Sequence, residues 1–159
     1  MAAGLLDREV TLKDRIKEDM KGALRSKEQA RLESIRMLLA AIQRREIDER
    51  ITLDDAQVMA VAEKLIRQGR DSVEQFRQGG REDLVEKENR DIAVWQSYLP
   101  EPLSEAQLDQ LIAQAISQTG ASGVKDMGKV VASLRPVVQG RADMGKVSGK
   151  IKVMLTAKG

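Results

Sequence analysis

From Leu12 to Leu155 the apolar residues recur at intervals of three and four, and no segment alternates with the period of two that a half-buried strand requires. A chain patterned this way buries its apolar side chains by packing helix against helix, so the fold class expected is all-α. Thr11 and Asp14 open a first helix reaching Arg25, with Leu12, Ile16, Met20, Ala23 and Leu24 as its apolar positions. Ser26 and Gln29 have the spacing of a capping box and open a second, to Glu49, carrying Leu32, Ile35, Leu38, Leu39, Ile42 and Ile47. Thr52 with Asp55 opens a third, on Val58, Val61, Ala62, Leu65, Ile66, Val73 and Phe76. Gly69 falls inside it and Gly79–Gly80 ends it. A fourth runs from Arg81 to Leu99. Trp95 shares a face with Ile92 and Leu99 there and is expected to be buried.

Pro100 and Pro102 cannot continue that helix, and the segment Leu99-Pro100-Glu101-Pro102-Leu103 is the expected domain boundary. The organisation predicted is a helical N-terminal domain over 1–99 and a small three-helix domain over 100–159. In the second, Ser104 and Gln107 cap a helix on Leu108, Leu111, Ile112, Ala115 and Ile116 that stops before Gly120. Val124, Met127, Val130, Val131 and Leu134 mark the next, stopped by Pro136. Asp143 caps the last, with Met144, Val147, Ile151, Met154 and Leu155 inward.

Composition narrows the chemistry. The 159 residues contain no Cys and no His, which excludes disulfides, thiolate nucleophiles, His-dependent triads and the common zinc sites. The only aromatics are Phe76, Trp95 and Tyr98, so the cores are aliphatic. Paired carboxylates occur at Glu46, Asp48 and Glu49, at Asp54 and Asp55, and at Glu82 and Asp83, all at expected helix ends or solvated faces. Ser122 and Ser148 each have a lysine within four residues, but a Ser–Lys dyad requires precise geometry and none is expected here. No catalytic residue, cofactor or metal is expected. Met1 to Gly4 shows no apolar signal-peptide core, and no stretch is apolar enough to span a membrane. A soluble, cytoplasmic chain is the expectation.

The charge is uneven. The net is +2 overall but −1 over residues 1–99 and +6 over 120–159. Within that basic stretch Asp126-Met127-Gly128-Lys129-Val130 returns as Asp143-Met144-Gly145-Lys146-Val147. Each copy sits at a helix start. The Asp can cap, and the Met and Val can enter the core. The Lys is left near free backbone N–H groups, an arrangement suited to phosphate. Gly128 and Gly145 are read as structural, admitting a neighbouring backbone. Lys125, Lys129, Arg135, Arg141, Lys146, Lys150 and Lys152 are the candidate phosphate contacts.

These motifs also carry a resemblance. Arg36-Met37-Leu38-Leu39-Ala40-Ala41-Ile42, Tyr98-Leu99-Pro100-Glu101-Pro102-Leu103-Ser104 and Gly120-Ala121-Ser122 precede the first repeat, and Gly140-Arg141-Ala142 leads into the second. Together they resemble the YqeY-like proteins, the stand-alone members of the GatB/YqeY family, over essentially the whole chain. The resemblance implies a helical N-terminal domain and a three-helix C-terminal domain like the tail of the tRNA-dependent amidotransferase B subunit. That tail helps recognise tRNA, while the catalytic cradle lies in another domain that this chain lacks. The resemblance therefore implies a non-catalytic tRNA- or RNA-binding accessory module. A protein-interaction module docking on a translation-related partner is the first alternative. A carbon–nitrogen ligase with glutamine as amido-N-donor, the activity attached to the family label, is the second.

Overall fold

The computed structural model describes residues 10–158, and the chain is all-α. The described residues form α1 (Leu12–Arg25), α2 (Gln29–Glu49), α3 (Asp55–Gln78), α4 (Glu82–Gln96), α5 (Glu105–Thr119), a 3-10 turn (Val124–Asp126), α6 (Met127–Val138) and α7 (Met144–Lys158). No strand occurs among them. They divide into two compact units, the first ending at Tyr98 and the second beginning at Leu99.

In the first unit, Thr11 caps α1 by accepting the Asp14 N–H at 3.1 Å. The capping box expected at Ser26 and Gln29 is not formed. Ser26 instead closes α1, its N–H donating to the Gly22 carbonyl, and Lys27 turns the chain at φ 58°. The start of α3 also differs from expectation. Asp54, not Thr52, is its cap, and Asp54 and Gln57 form a complete capping box at 2.8 and 2.9 Å. Asp55 is then already helical, and its carboxylate accepts the Leu12 N–H at 2.9 Å. α4 stops at Gln96, so Leu99 lies outside it.

Ile16, Ile35, Leu38, Ile42, Val58 and Trp95 are fully buried in this unit. Two residues assigned to the apolar stripes are exposed instead: Leu24 by 57% and Ile47 by 66%. Each stands about 100° of helix rotation from its buried neighbour position. In α2 the inward position after Ile42 is held by Glu46, whose carboxylate accepts Lys13 Nζ at 2.8 Å and the Leu53 N–H at 2.9 Å. Those bonds, Lys13 first, hold the Glu46 carboxyl below its ordinary value.

Trp95 is 2% exposed, as its spacing predicts, and its Nε1–H donates to the Ser34 carbonyl at 2.8 Å. Beside it, Ser34 and Asp91 are buried polar residues, with Oγ and Oδ1 2.5 Å apart, while Lys87 Nζ reaches Asp91 Oδ2 at 3.2 Å. Tyr98 O–H donates to Asp19 at 2.7 Å under the Arg15 guanidinium, 5.2 Å from the ring centroid. Burial and the Asp19 carboxylate push the phenol above its ordinary range.

The second unit packs α5, α6 and α7 around Leu108, Ile112, Val130, Leu134, Val138, Val147, Ile151 and Leu155. The Ser104–Gln107 capping box is present, at 3.1 and 3.0 Å. Gly120 ends α5 in the left-handed region at φ 68°. Pro136 does not stop α6, which continues to Val138. Proline removes one N–H, and the Ala132 carbonyl it leaves unpaired within the helix lies on an exposed face where solvent can reach it. Pro100 and Pro102 lie in the non-helical segment before α5, and its far end is tied down where the Leu103 N–H donates to the Arg141 carbonyl at 2.9 Å.

The two sequence repeats differ locally. Asp143 caps α7, accepting the Gly145 N–H at 2.9 Å. Asp126 does not cap α6; its carboxylate turns back to accept the Ser122 N–H at 3.0 Å. Val130 and Val147 are both buried, as expected. The close-approach reading of Gly128 and Gly145 is corrected. A Cβ at Gly128 would meet nothing within 4 Å, and one at Gly145 would meet only Asp143 Oδ1, its own cap, at 3.4 Å. Both glycines face outward from the bundle.

The glycine that does permit close packing is Gly69, where a Cβ would stand 2.9 Å from Ile92 Cγ1 on α4. Gly69→Leu is expected to destabilise the chain by about 1–3 kcal/mol through overpacking. Gly149, in mid-α7 with nothing within 4 Å, gives the opposite sign: Gly149→Ala should stabilise by about 0.5–1 kcal/mol. Thermal unfolding of the two variants checks the pair, and a Gly69→Leu variant as stable as the parent would refute the α3–α4 packing account.

Candidate nucleic-acid interface

The seven basic candidates lie on the second unit, in or beside the 3-10 turn, α6 and α7. The structure sorts them into two groups. Lys146 and Lys150 stand one turn apart on α7 and reach across to α5. Glu105 pairs with both, and Asp109 accepts Lys150 Nζ at 2.7 Å. Arg141 Nε donates to the Glu101 carbonyl at 3.1 Å. These three cations are engaged inside their own unit. Lys125, Arg135 and Lys152 are exposed and make no ion pair with a described residue. Lys129 is also exposed and only loosely paired, 4.0 Å from Asp126.

The electrostatics follow the pairing. Glu105 is held down to about 2 because Lys146 and Lys150 donate to it. Lys150 is raised by its bonds to Asp109 and Glu105. Asp126 is lowered, mainly by the Ser122 N–H and then by Lys129. The N-terminus of α6 has no side-chain cap, whereas that of α7 is occupied by Asp143. The two repeats therefore differ: Lys129 stands at an uncapped helix start, whereas Lys146 stands at a capped one and is paired with Glu105.

The Ser122 hydroxyl faces Asp126 at 3.4 Å. In the first unit, Glu46 is tied to Lys13 and Leu53, Asp54 caps α3, and Asp83 is paired to Arg81 at 3.1 Å. Among the described residues no cluster of three or more Asp, Glu, His or Cys could hold a metal ion. No described helix is long and apolar enough to cross a membrane. Sequence reasoning missed the Ser34–Asp91 pair. Its one available signal is that Asp91 stands four residues before Trp95, on the buried face of α4. Both residues are buried and each finds hydrogen-bond partners.

A family model described as Yqey-like protein matches residues 13–155. The relative named altered inheritance of mitochondria protein 41, mitochondrial, from Pyrenophora tritici-repentis is 33% identical over 147 residues, covering 91% of this chain and 81% of the relative. Proteins of the same name from Lachancea thermotolerans and Eremothecium gossypii are 36% and 37% identical. Their alignments cover 65% and 63% of this chain but only 57% and 55% of the relatives, so the chain spans little more than half the length of those two. All three relatives are named as mitochondrial, which overturns the cytoplasmic placement. That expectation rested on the lack of an apolar signal or span, and such a lack does not discriminate between aqueous compartments.

The paired lysines yield a pH test. A carboxyl depressed from 4.5 to about 2 contributes stability that is present above about 4.5 and is lost as the pH falls through about 2. Glu105→Gln is expected to lower the melting temperature slightly at pH 7, and the gap from the parent should close near pH 2. A gap that persists unchanged at pH 2 would show that Glu105 acts by packing and not by charge.

Proposed function

Because the chain belongs to the Yqey-like protein family, we propose that it is a non-catalytic accessory protein that holds tRNA by its phosphate backbone, through the basic face of the second unit. The observation that carries this reading is the set of exposed cations left over after internal pairing: Lys125, Arg135 and Lys152, with Lys129 beside the uncapped start of α6. They fall in the stretch whose net charge is +6. All three aromatics lie in the first unit, so this face would read shape and phosphate rather than stack bases. The resemblance to the tail of a tRNA-dependent amidotransferase subunit supports tRNA over other polyanions. No observation comparable to these exposed cations favours carbon–nitrogen ligation.

Phosphate contacts release counterions, so the affinity should depend on salt. With about four phosphates neutralised, the log–log slope of binding constant against salt is expected near −3 to −4. Changing Lys125, Lys129, Arg135 and Lys152 together to Gln should weaken binding and flatten that slope. Changing Arg44, Arg45 and Arg50 to Gln in the first unit should do less. Glu105→Gln should strengthen binding, since it releases Lys146, while Lys150 stays paired with Asp109. A salt titration of tRNA binding by parent and variants checks all of this. Salt-independent binding, equal losses in both multiple variants, or no binding at about 50 mM salt would defeat the reading.

A further inference from the structure

α2 and α3 leave an open groove of about 900 Å³ on the first unit. Its floor is aliphatic: Met37, Ala40 and Ala41 from α2, and Ala60, Val61 and Leu65 from α3. Met37 is 41% exposed and lines this groove. The rim is charged and unbalanced. Arg45 is neutralised by Glu49 at 2.5 Å. Arg44, Lys64 and Arg67 make no ion pair with a described residue, and Asp48 is the rim's one remaining acid.

These features select among occupants. Both walls are helices whose backbone groups are internally bonded, so no strand can be added to them. The lining holds no aromatic ring on which a base could stack. From Met37 to Glu49 the α2 wall extends about 18 Å, or some three helical turns. Three alanines in the floor allow another helix axis to approach to about 8–10 Å. The surplus of arginine and lysine on the rim calls for carboxylates beside the apolar face of that helix.

We propose that the α2–α3 groove is a docking site for an amphipathic helix of a partner protein, about three turns long, with an aliphatic face flanked by Asp or Glu. Met37, Ala41 and Leu65 receive the apolar face, and Arg44, Lys64 and Arg67 select its acidic flanks. The inference is independent of the tRNA reading, since it uses the other unit and other residues.

The test uses the full chain and two synthetic stapled helices of about three to four turns. Both carry Leu along one face; one is flanked by Glu and the other by Lys. Fluorescence anisotropy should show the Glu-flanked helix binding about tenfold tighter or better. In the triple variant Arg44→Glu, Lys64→Glu, Arg67→Glu the preference should invert. Met37→Asp should weaken both helices, and its exposed position spares the fold, as circular dichroism would verify. The proposal is overturned if neither helix binds, if both bind equally, or if the reversal leaves the preference unchanged. It is overturned as well if tRNA displaces the Glu-flanked helix, which would make the groove a polyanion site.

Discussion

The first unit depends on what one helix, α4, presents to its neighbours. Trp95 gives its indole N–H to the Ser34 carbonyl, and Asp91, one turn earlier, meets the Ser34 hydroxyl. Two buried polar contacts on successive turns fix both the rotation and the register of α4 against α2. Sliding either helix would strand a carboxylate and an N–H in an aliphatic core, at about 1–3 kcal/mol for each neutral group and more for the charge. Against a total stability of roughly 5–15 kcal/mol, that is a strong restriction. With α4 fixed, Ile92 falls opposite Gly69, which sets how closely α3 can lie. Just past the end of α4, Tyr98 reaches back to Asp19 and binds α1. The aliphatic interior supplies the driving force, and these polar contacts choose one arrangement from the many that would bury similar area.

In the second unit the same residue type serves two ends. Lys146 and Lys150 come from a basic stretch, yet α5 meets them with Glu105 and Asp109. Exposed pairs of this kind contribute little stability, because water screens them. Their larger effect is on the field outside the unit. Pairing removes two cations from one side of α7 and concentrates the remainder around the 3-10 turn, α6 and Lys152. Glu105 therefore stands between Lys146 and any anion that approaches it, and with Asp109 does the same for Lys150.

The groove and the basic face differ in physical character, which is why they suggest different occupants. The groove has an apolar floor, so desolvation favours an apolar ligand, and its charges act as a selective border. The cations Lys125, Lys129, Arg135 and Lys152 are exposed outside an aliphatic core. Exposed cations of this kind suit a phosphate backbone, where position matters more than shape complementarity.

Much of the fold is legible in the amino-acid sequence, because helical periodicity, caps and breakers are local. The stripe on each helix, the Ser104–Gln107 box, the turn at Gly120 and the burial of Trp95 all depend on residues within a few positions of one another. The break after α4 is equally local, and so is the family resemblance, carried by short motifs in order. Expectation and structure part where one local rule competes with another. Ser26 could open α2 or close α1, and Asp54 caps α3 better than Thr52. Pro136 meets an exposed carbonyl that tolerates it. The candidate site is legible only as a set of seven cations. Which of them stay available is decided by Glu105 and Asp109, some forty residues away from Lys146 and Lys150. Ser34 and Asp91 are 57 positions apart, and Asp19 and Tyr98 are 79. The sequence by itself determined the rods, their buried faces and their ends. The tertiary structure alone decided which charges pair, which glycine is crowded and where a groove opens. Those outcomes depend on how each rigid helix is rotated and shifted against its neighbours, and a pattern that repeats every 3.6 residues carries no record of that placement.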